Sequence, residues 1–213
     1  MYITEPFIED FLDALVPDAG GYLSEMRKFA ESEQIPIVDR QVENFLMFFL
    51  PVLNPRAILE LGTAIGYSAS MMARATDASI TTVELDENRA INARTHFQNQ
   101  RLEDRIRLVV SDAEEFVKKD TSRYDFIFID AAKGQYEVYL KACLSLLNEG
   151  GVICMDNVLF HGMLASKKLY KRRKVTIVKR LKRMLYEVLH SESLSANLLP
   201  IGDGLLMIRR LNG

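Results

Sequence analysis

From Arg56 onward, short β-branched apolar runs alternate with stretches whose apolar residues recur at helical spacing, the pattern of βαβ units. The runs predict strands at 56–61, 79–85, 105–110, 124–130 and 150–156, with helices at 66–75, 87–99, 113–119 and 135–147 between them. Asn148-Glu149-Gly150-Gly151 reads as a helix stop and turn. The end of the chain breaks this rhythm. Leu194 to Pro200 and Leu205 to Arg210 are apolar runs separated by Ile201-Gly202-Asp203-Gly204, whose Asp-Gly step favours positive φ, so a closing antiparallel hairpin is expected. The fold class is therefore α/β: a doubly wound, mostly parallel, seven-stranded Rossmann-like sheet with helices on both faces. Before residue 56 the pattern is helical at 5–15, 21–33 and 41–53. Ile35-Pro36-Ile37-Val38-Asp39 is an extended connector, because the residue before a proline is pushed out of the helical region. These helices are expected to cap one edge of the sheet.

Composition adds bounds. No Ser/Gly/Pro-rich linker interrupts the 213 residues, so residues 1–213 are read as one domain, a helical cap at 1–55 on a Rossmann-like core at 56–213. With 48% apolar and 26% charged residues the chain has material for a core and is not disordered by composition. The longest apolar stretch, Phe45 to Leu53, contains Pro51 and is far short of a bilayer span. Met1-Tyr2-Ile3-Thr4-Glu5 lacks a positive n-region and apolar core, so no signal peptide is expected. A cytoplasmic location and no membrane partner follow as expectations. Cys143 and Cys154 fall in a helix and a buried strand and read as small core fillers in a reducing compartment.

A strand ending in Glu60, a turn with Gly62 and Gly66, and a helix opening on Tyr67-Ser68-Ala69 make a backbone that can approach a ligand closely. The nicotinamide fingerprint fails at two of its three glycine positions, where Ala64 and Tyr67 stand, and this disfavours an oxidoreductase. Glu60 would repel a pyrophosphate but suits the methionine ammonium of S-adenosylmethionine. Glu84 ends the next strand, 22 residues after Gly62, where a carboxylate accepts from two ribose hydroxyls. Asp112, followed by Ala113, ends the third strand, where an adenine edge would lie.

Asp130 ends the fourth strand and Asp156-Asn157 the fifth. Adjacent parallel strands lie about 4.8 Å apart, so these three oxygen donors can share one cation, with Asp130 also at the cofactor's border. Carboxylate and amide oxygens suit Mg²⁺, Ca²⁺ or Mn²⁺ better than zinc. Lys133, three residues after Asp130, hangs over the same point. Next to a cation and out of water it could serve as general base toward a substrate hydroxyl. His161 is left out of the metal set, because a lone loop histidine more often meets backbone or solvent.

Glu60-Leu-Gly-Thr-Ala-Ile-Gly-Tyr-Ser68, Phe128-Ile-Asp-Ala-Ala-Lys-Gly-Gln-Tyr136, Met155-Asp-Asn-Val-Leu-Phe-His-Gly162 and Pro200-Ile-Gly-Asp-Gly204 resemble the metal-dependent class I O-methyltransferases of the catechol and caffeoyl-CoA type. The resemblance runs from about Ile35 to the C-terminus. With its Ile35-Pro-Ile-Val-Asp-Arg40 connector, the chain looks most like the bacterial tRNA methyltransferases that convert 5-hydroxyuridine to 5-methoxyuridine at the wobble position. The resemblance implies Asp130, Asp156 and Asn157 as metal ligands, Lys133 as base, Glu84 at the ribose, Asp112 by the adenine, and a homodimer. Ser111 departs from the glycine common among relatives.

Charge distribution bears on the substrate. Lys167 to Arg183 holds ten of the 27 basic residues and no Asp or Glu, a stripe that includes Arg172, Arg173 and Lys174 and could bind RNA phosphates. Val178, Leu181, Leu185, Val188 and Leu189 recur there at helical spacing and predict an apolar inner face beneath a basic outer one. The expected reaction is in-line displacement, a hydroxyl oxygen acidified by the cation and deprotonated by Lys133 attacking the sulfonium methyl. Both 5-hydroxyuridine in tRNA and a small catechol offer two neighbouring oxygens. A non-catalytic RNA-binding module is disfavoured by the intact acidic set.

Overall fold

The computed structural model describes residues 5–211. Strands β1 (Ala57–Leu61), β2 (Ser79–Glu84), β3 (Ile106–Val110), β4 (Tyr124–Ile129) and β5 (Leu147–Met155) run parallel, and β6 (Leu194–Leu199) and β7 (Leu205–Arg210) form the closing hairpin. The sheet order is β3-β2-β1-β4-β5-β7-β6, with β7 antiparallel to both its neighbours. Helices are α1 (Pro6–Leu15), α2 (Gly21–Ser32), α3 (Arg40–Leu53), α4 (Tyr67–Ala75), α5 (Glu87–Asn99), α6 (Ala113–Lys119), α7 (Tyr136–Leu146) and α8 (Val175–Leu189). Among the described residues no helix is long and apolar enough to cross a membrane.

Strand residues point alternately to opposite faces, so a sheet covered on both sides needs near-continuous apolar strands. Leu59, Leu61, Ile127, Ile129, Ile153 and Met155 pack on one face with α6, α7 and α8. Ile58, Ile80, Phe126, Phe128 and Cys154 pack on the other with residues of α2 to α5. The order reverses between β1 and β4, and this switch point opens a crevice at the strands' carboxyl ends.

Three expectations need correcting. Leu23 and Met26 of α2, with Val42, Leu46 and Leu50 of α3, cover a face of the sheet, whose edges are β3 and β6, rather than capping an edge. Asn148-Glu149-Gly150-Gly151 lies inside β5. Tyr124 pairs with Leu147 but Phe126 with Val152, so this segment bulges out, with Gly150 at φ 74° and Asn148 donating to Asp125. Leu189 is 43% exposed, and Met184 fills the inner face with Val178, Leu181, Leu185 and Val188. The basic residues preceding α8 form two separate 3₁₀ turns, Lys167–Leu169 and Arg172–Lys174.

Candidate active site

The crevice is a cavity of about 520 Å³ that reaches from the loop after β1, past the ends of β2 and β3, to the loops after β4 and β5. Gly62 sits at φ 89° where a Cβ would collide with the Asp130 carbonyl oxygen, so the loop after β1 can lie against β4 only without a side chain there. Gly66, at φ 84°, caps α4 where a Cβ would come within 2.6 Å of the Phe97 ring. Its requirement is packing against α5, and it does not line the cavity.

Of the candidate cofactor residues, Gly62, Ser68, Glu84, Asp112, Ala113 and Asp130 line the cavity. The Glu84 carboxylate accepts from the backbone amides of Ala64 (2.8 Å) and Asp86 (2.9 Å). Those bonds fix both oxygens and leave each a lone pair for a hydroxyl donor. Asp112 caps α6, its Oδ1 accepting from the amides of Glu114 and Glu115. Glu60 is placed differently: it is fully buried behind the loop, away from the cavity lining. Thr82 donates to one of its oxygens at 2.5 Å while the other makes no hydrogen bond. Burial pushes its carboxyl up to about 7, with Ser68, Thr63 and Thr82 restraining the rise.

At the other end, Ile129 pairs with Met155 in the parallel register, so the next residues, Asp130 and Asp156, emerge side by side. Asp156 is 1% exposed; its Oδ1 accepts from the Asn157 amide at 2.6 Å and its Oδ2 has no partner. Burial, and then the Asp130 charge, push its carboxyl up to about 8. Asp130 is raised by desolvation and pulled back by the Lys133 ammonium 3.8 Å away. Lys133 Nζ donates to Asn157 Oδ1 at 2.9 Å, which brings the three expected oxygen donors and the expected base to one point. Among the described residues no group of three His, Cys, Asp or Glu side chains could hold a metal, so the candidate set is two carboxylates completed by an amide. A buried carboxylate oxygen without a partner, beside a second carboxylate and an amide oxygen, fits a hard divalent cation.

Sequence reasoning did not assign Arg89, Tyr139, Asp203 and the Pro36–Val38 connector to the cavity. For Asp203 a signal existed in Pro200-Ile-Gly-Asp-Gly204; for the others spacing gives none. His161 lines the cavity as well, its side chain 67% exposed and its Nδ1 3.7 Å from Asp203. Arg172, Arg173 and Lys174 are exposed and do not line the cavity. Lys174 lies 5.8 Å over the Phe160 ring, and Ile177 of α8 sits against Gly134 of the Lys133 loop.

A family model described as O-methyltransferase matches residues 16–211. The caffeoyl-CoA O-methyltransferase of Stellaria longipes is 28% identical over 225 residues, covering 98% of this chain and 91% of that protein. The catechol O-methyltransferase of Mycobacterium tuberculosis is 28% identical over 162 residues, covering 74% of each. Among solved structures, a Staphylococcus aureus protein superposes with a TM-score of 0.88 at 30% identity, covering 96% of this chain and 99% of the other. The Bacillus cereus O-methyltransferase, solved in complex with SAH, gives 0.81 at 25% identity, covering 95% and 96%. With its class I fold, the chain belongs to the O-methyltransferase family, of the caffeoyl-CoA and catechol type.

Proposed function

We propose that this protein moves the methyl group of S-adenosylmethionine to the 5-hydroxyl of 5-hydroxyuridine at the wobble position of tRNA, with a divalent cation, most simply Mg²⁺, at Asp130, Asp156 and Asn157. The observation that carries the chemistry is the unpartnered, buried Asp156 Oδ2 beside Asp130 and the Lys133–Asn157 contact. A cation bound there supplies Lewis-acid polarisation of a substrate oxygen. Lys133, already within reach of the donor set, would take the hydroxyl proton as the uncharged amine. The oxygen then bonds to the methyl carbon as the carbon–sulfur bond breaks, and S-adenosylhomocysteine leaves. Glu84 holds the ribose and Gly62, Ser68, Asp112 and Ala113 line its surroundings, so positioning carries much of the rate. The SAH in the Bacillus cereus relative supports this choice of cofactor.

For the substrate, the supporting observation is the acid-free stretch from Lys167 to Lys174, whose Lys and Arg residues are exposed and whose Lys174 lies over Phe160, next to the cavity-lining His161. A phosphate backbone seated there would present a single nucleotide to the cavity. The second reading is a small phenol with two vicinal oxygens, favoured by the activities named for the Stellaria and Mycobacterium relatives. Mass spectrometry of tRNA nucleosides after incubation with labelled cofactor, run in parallel with a catechol assay, separates the two. Labelled 5-methoxyuridine is the expected product. Catechol turnover with no label in tRNA would establish the second reading instead.

A further inference from the structure

The loop that follows the metal candidates has an unusual backbone. Asn157, Phe160 and His161 have φ of 53°, 51° and 55°, and Gly162 follows at 69°. Side-chain-bearing residues rarely occupy this left-handed region, and a run of them persists only where surrounding contacts over-determine it. Besides a bond within the loop, from the Phe160 amide to the Asn157 carbonyl at 3.2 Å, its contacts come from the turn between β6 and β7. The Val158 amide donates to the Gly204 carbonyl at 3.0 Å and the Leu159 amide to the Asp203 carbonyl at 2.9 Å. The His161 amide donates to both carboxylate oxygens of Asp203, at 2.8 and 2.7 Å. The Asp203 side chain is only 15% exposed, so it acts where water competes weakly.

We propose that Asp203 is a positioning residue: its carboxylate clamps the His161 amide, holds Phe160, His161 and Gly162 in the left-handed region, and so keeps the preceding Asn157 side-chain amide between Lys133 and Asp156. Its consequence for cation binding rests on the metal reading of the site; its effect on the loop does not. Bidentate acceptance by one carboxylate ties two segments more than 40 residues apart in the chain, and no other side chain of the described residues bonds the His161 amide. The clamp touches no reacting atom and works through the backbone.

The test compares Asp203→Ala, Asp203→Asn and Asp203→Glu with the unaltered chain, without cofactor or substrate. Hydrogen exchange is followed in a peptide spanning 157–163, and Mn²⁺ binding by paramagnetic resonance. In the alanine variant loop exchange should rise about tenfold or more while β1 and β4 stay protected, and Mn²⁺ affinity should fall by about tenfold or more, as when a ligand's support is removed. Asparagine keeps one acceptor oxygen and should restore most of both. In turnover, the alanine variant should lose kcat with little change in KM for S-adenosylmethionine. Unchanged loop exchange in the alanine variant overturns the proposal. So does an asparagine variant with a protected loop but lost Mn²⁺ affinity, which would make Asp203 a direct partner of the cation. If the alanine variant does not fold, the glutamate variant, its carboxylate displaced by one methylene, takes its place: faster loop exchange supports the clamp and wild-type exchange overturns it. If the unaltered chain binds no Mn²⁺ while loop exchange still rises on substitution, the metal reading fails and the clamp stands.

Discussion

Glu60 is fully buried, and one of its carboxyl oxygens has no hydrogen-bond partner. Its position at the end of β1 suggested a ligand-facing carboxylate, but strand parity turns it toward α4, under Thr63 and Ser68. Its carboxyl is raised from 4.5 to about 7, so between those values the folded chain holds a proton that the unfolded chain has lost. Stability from this group is therefore greatest at low pH and is lost as pH rises through about 7, by roughly 3 kcal/mol from a shift of this size. Glu60→Gln keeps an acceptor for Thr82 and carries no charge. Urea unfolding of the ligand-free proteins should show the variant gaining on the parent between pH 5 and pH 8; a pH-independent difference would refute the assignment. Asp156, a candidate ligand by its sequence position, has one oxygen bonded to Asn157 and the other without a partner. Because its carboxyl is pushed up to about 8, a cation must displace a proton at neutral pH. Mn²⁺ affinity should climb with pH, by up to about tenfold per unit, and level off above pH 8. Titrations that give the same affinity at pH 6 and pH 8 would remove Asp156 from the ligand set.

At the scale of elements, helices and strands were readable wherever apolar periodicity was long, and the departures have local causes. A glycine pair reads as a stop, but in β5 it forms a bulge because the strand resumes on the far side against Phe126. Leu189 has the right helical phase for the core but is the last residue of α8, where the face beneath runs out. Least legible was the linkage among α2, α3 and α4. Arg27 donates to Glu43 at 2.6 Å, to the Val38 carbonyl at 3.1 Å and to the Tyr67 hydroxyl at 3.2 Å, and Tyr67 donates to Glu43 at 2.9 Å. These partners stand 11 to 40 positions from Arg27, so no spacing rule points to them. The network fixes the Pro36–Val38 connector that lines the cavity. Arg27→Ala would leave Glu43, 7% exposed, facing a phenol alone, and should cost about 3 kcal/mol in urea unfolding. Lysine offers a point charge in place of a planar fork and should rescue only part of that loss. A loss below about 0.5 kcal/mol in the alanine variant, the range of ordinary surface substitutions, would mean the network is not a structural tie.

Over the whole molecule, the formal charge of −2 conceals a strongly basic stretch from Lys167 to Arg183, and its arrangement bears on what the site can attract. Arg183 of the stripe is engaged by Glu137 at 2.7 Å and by Glu187 at 3.8 Å, whereas Arg172, Arg173 and Lys174 form no ion pair among the described residues. Those three lie on a 3₁₀ turn outside the cavity lined by Asp130 and Asp156, with Lys174 over Phe160, so their charge can be altered without touching the candidate ligand set. Each phosphate contact of a single-stranded segment contributes about −0.7 to the slope of log affinity against log salt. Reversing both arginines, Arg172→Glu with Arg173→Glu, should raise KM for hydroxyuridine-containing tRNA by about tenfold or more at 0.15 M salt and flatten the salt slope by about 1.4. Turnover of a small catechol, which has no backbone phosphates, should be unchanged, and so should kcat on saturating tRNA. Steady-state rates on both substrates across a salt series measure all of this together. An unaltered tRNA KM would leave the basic segment without a role in substrate capture, and a parallel fall on catechol would mean that the change had reached the shared cavity.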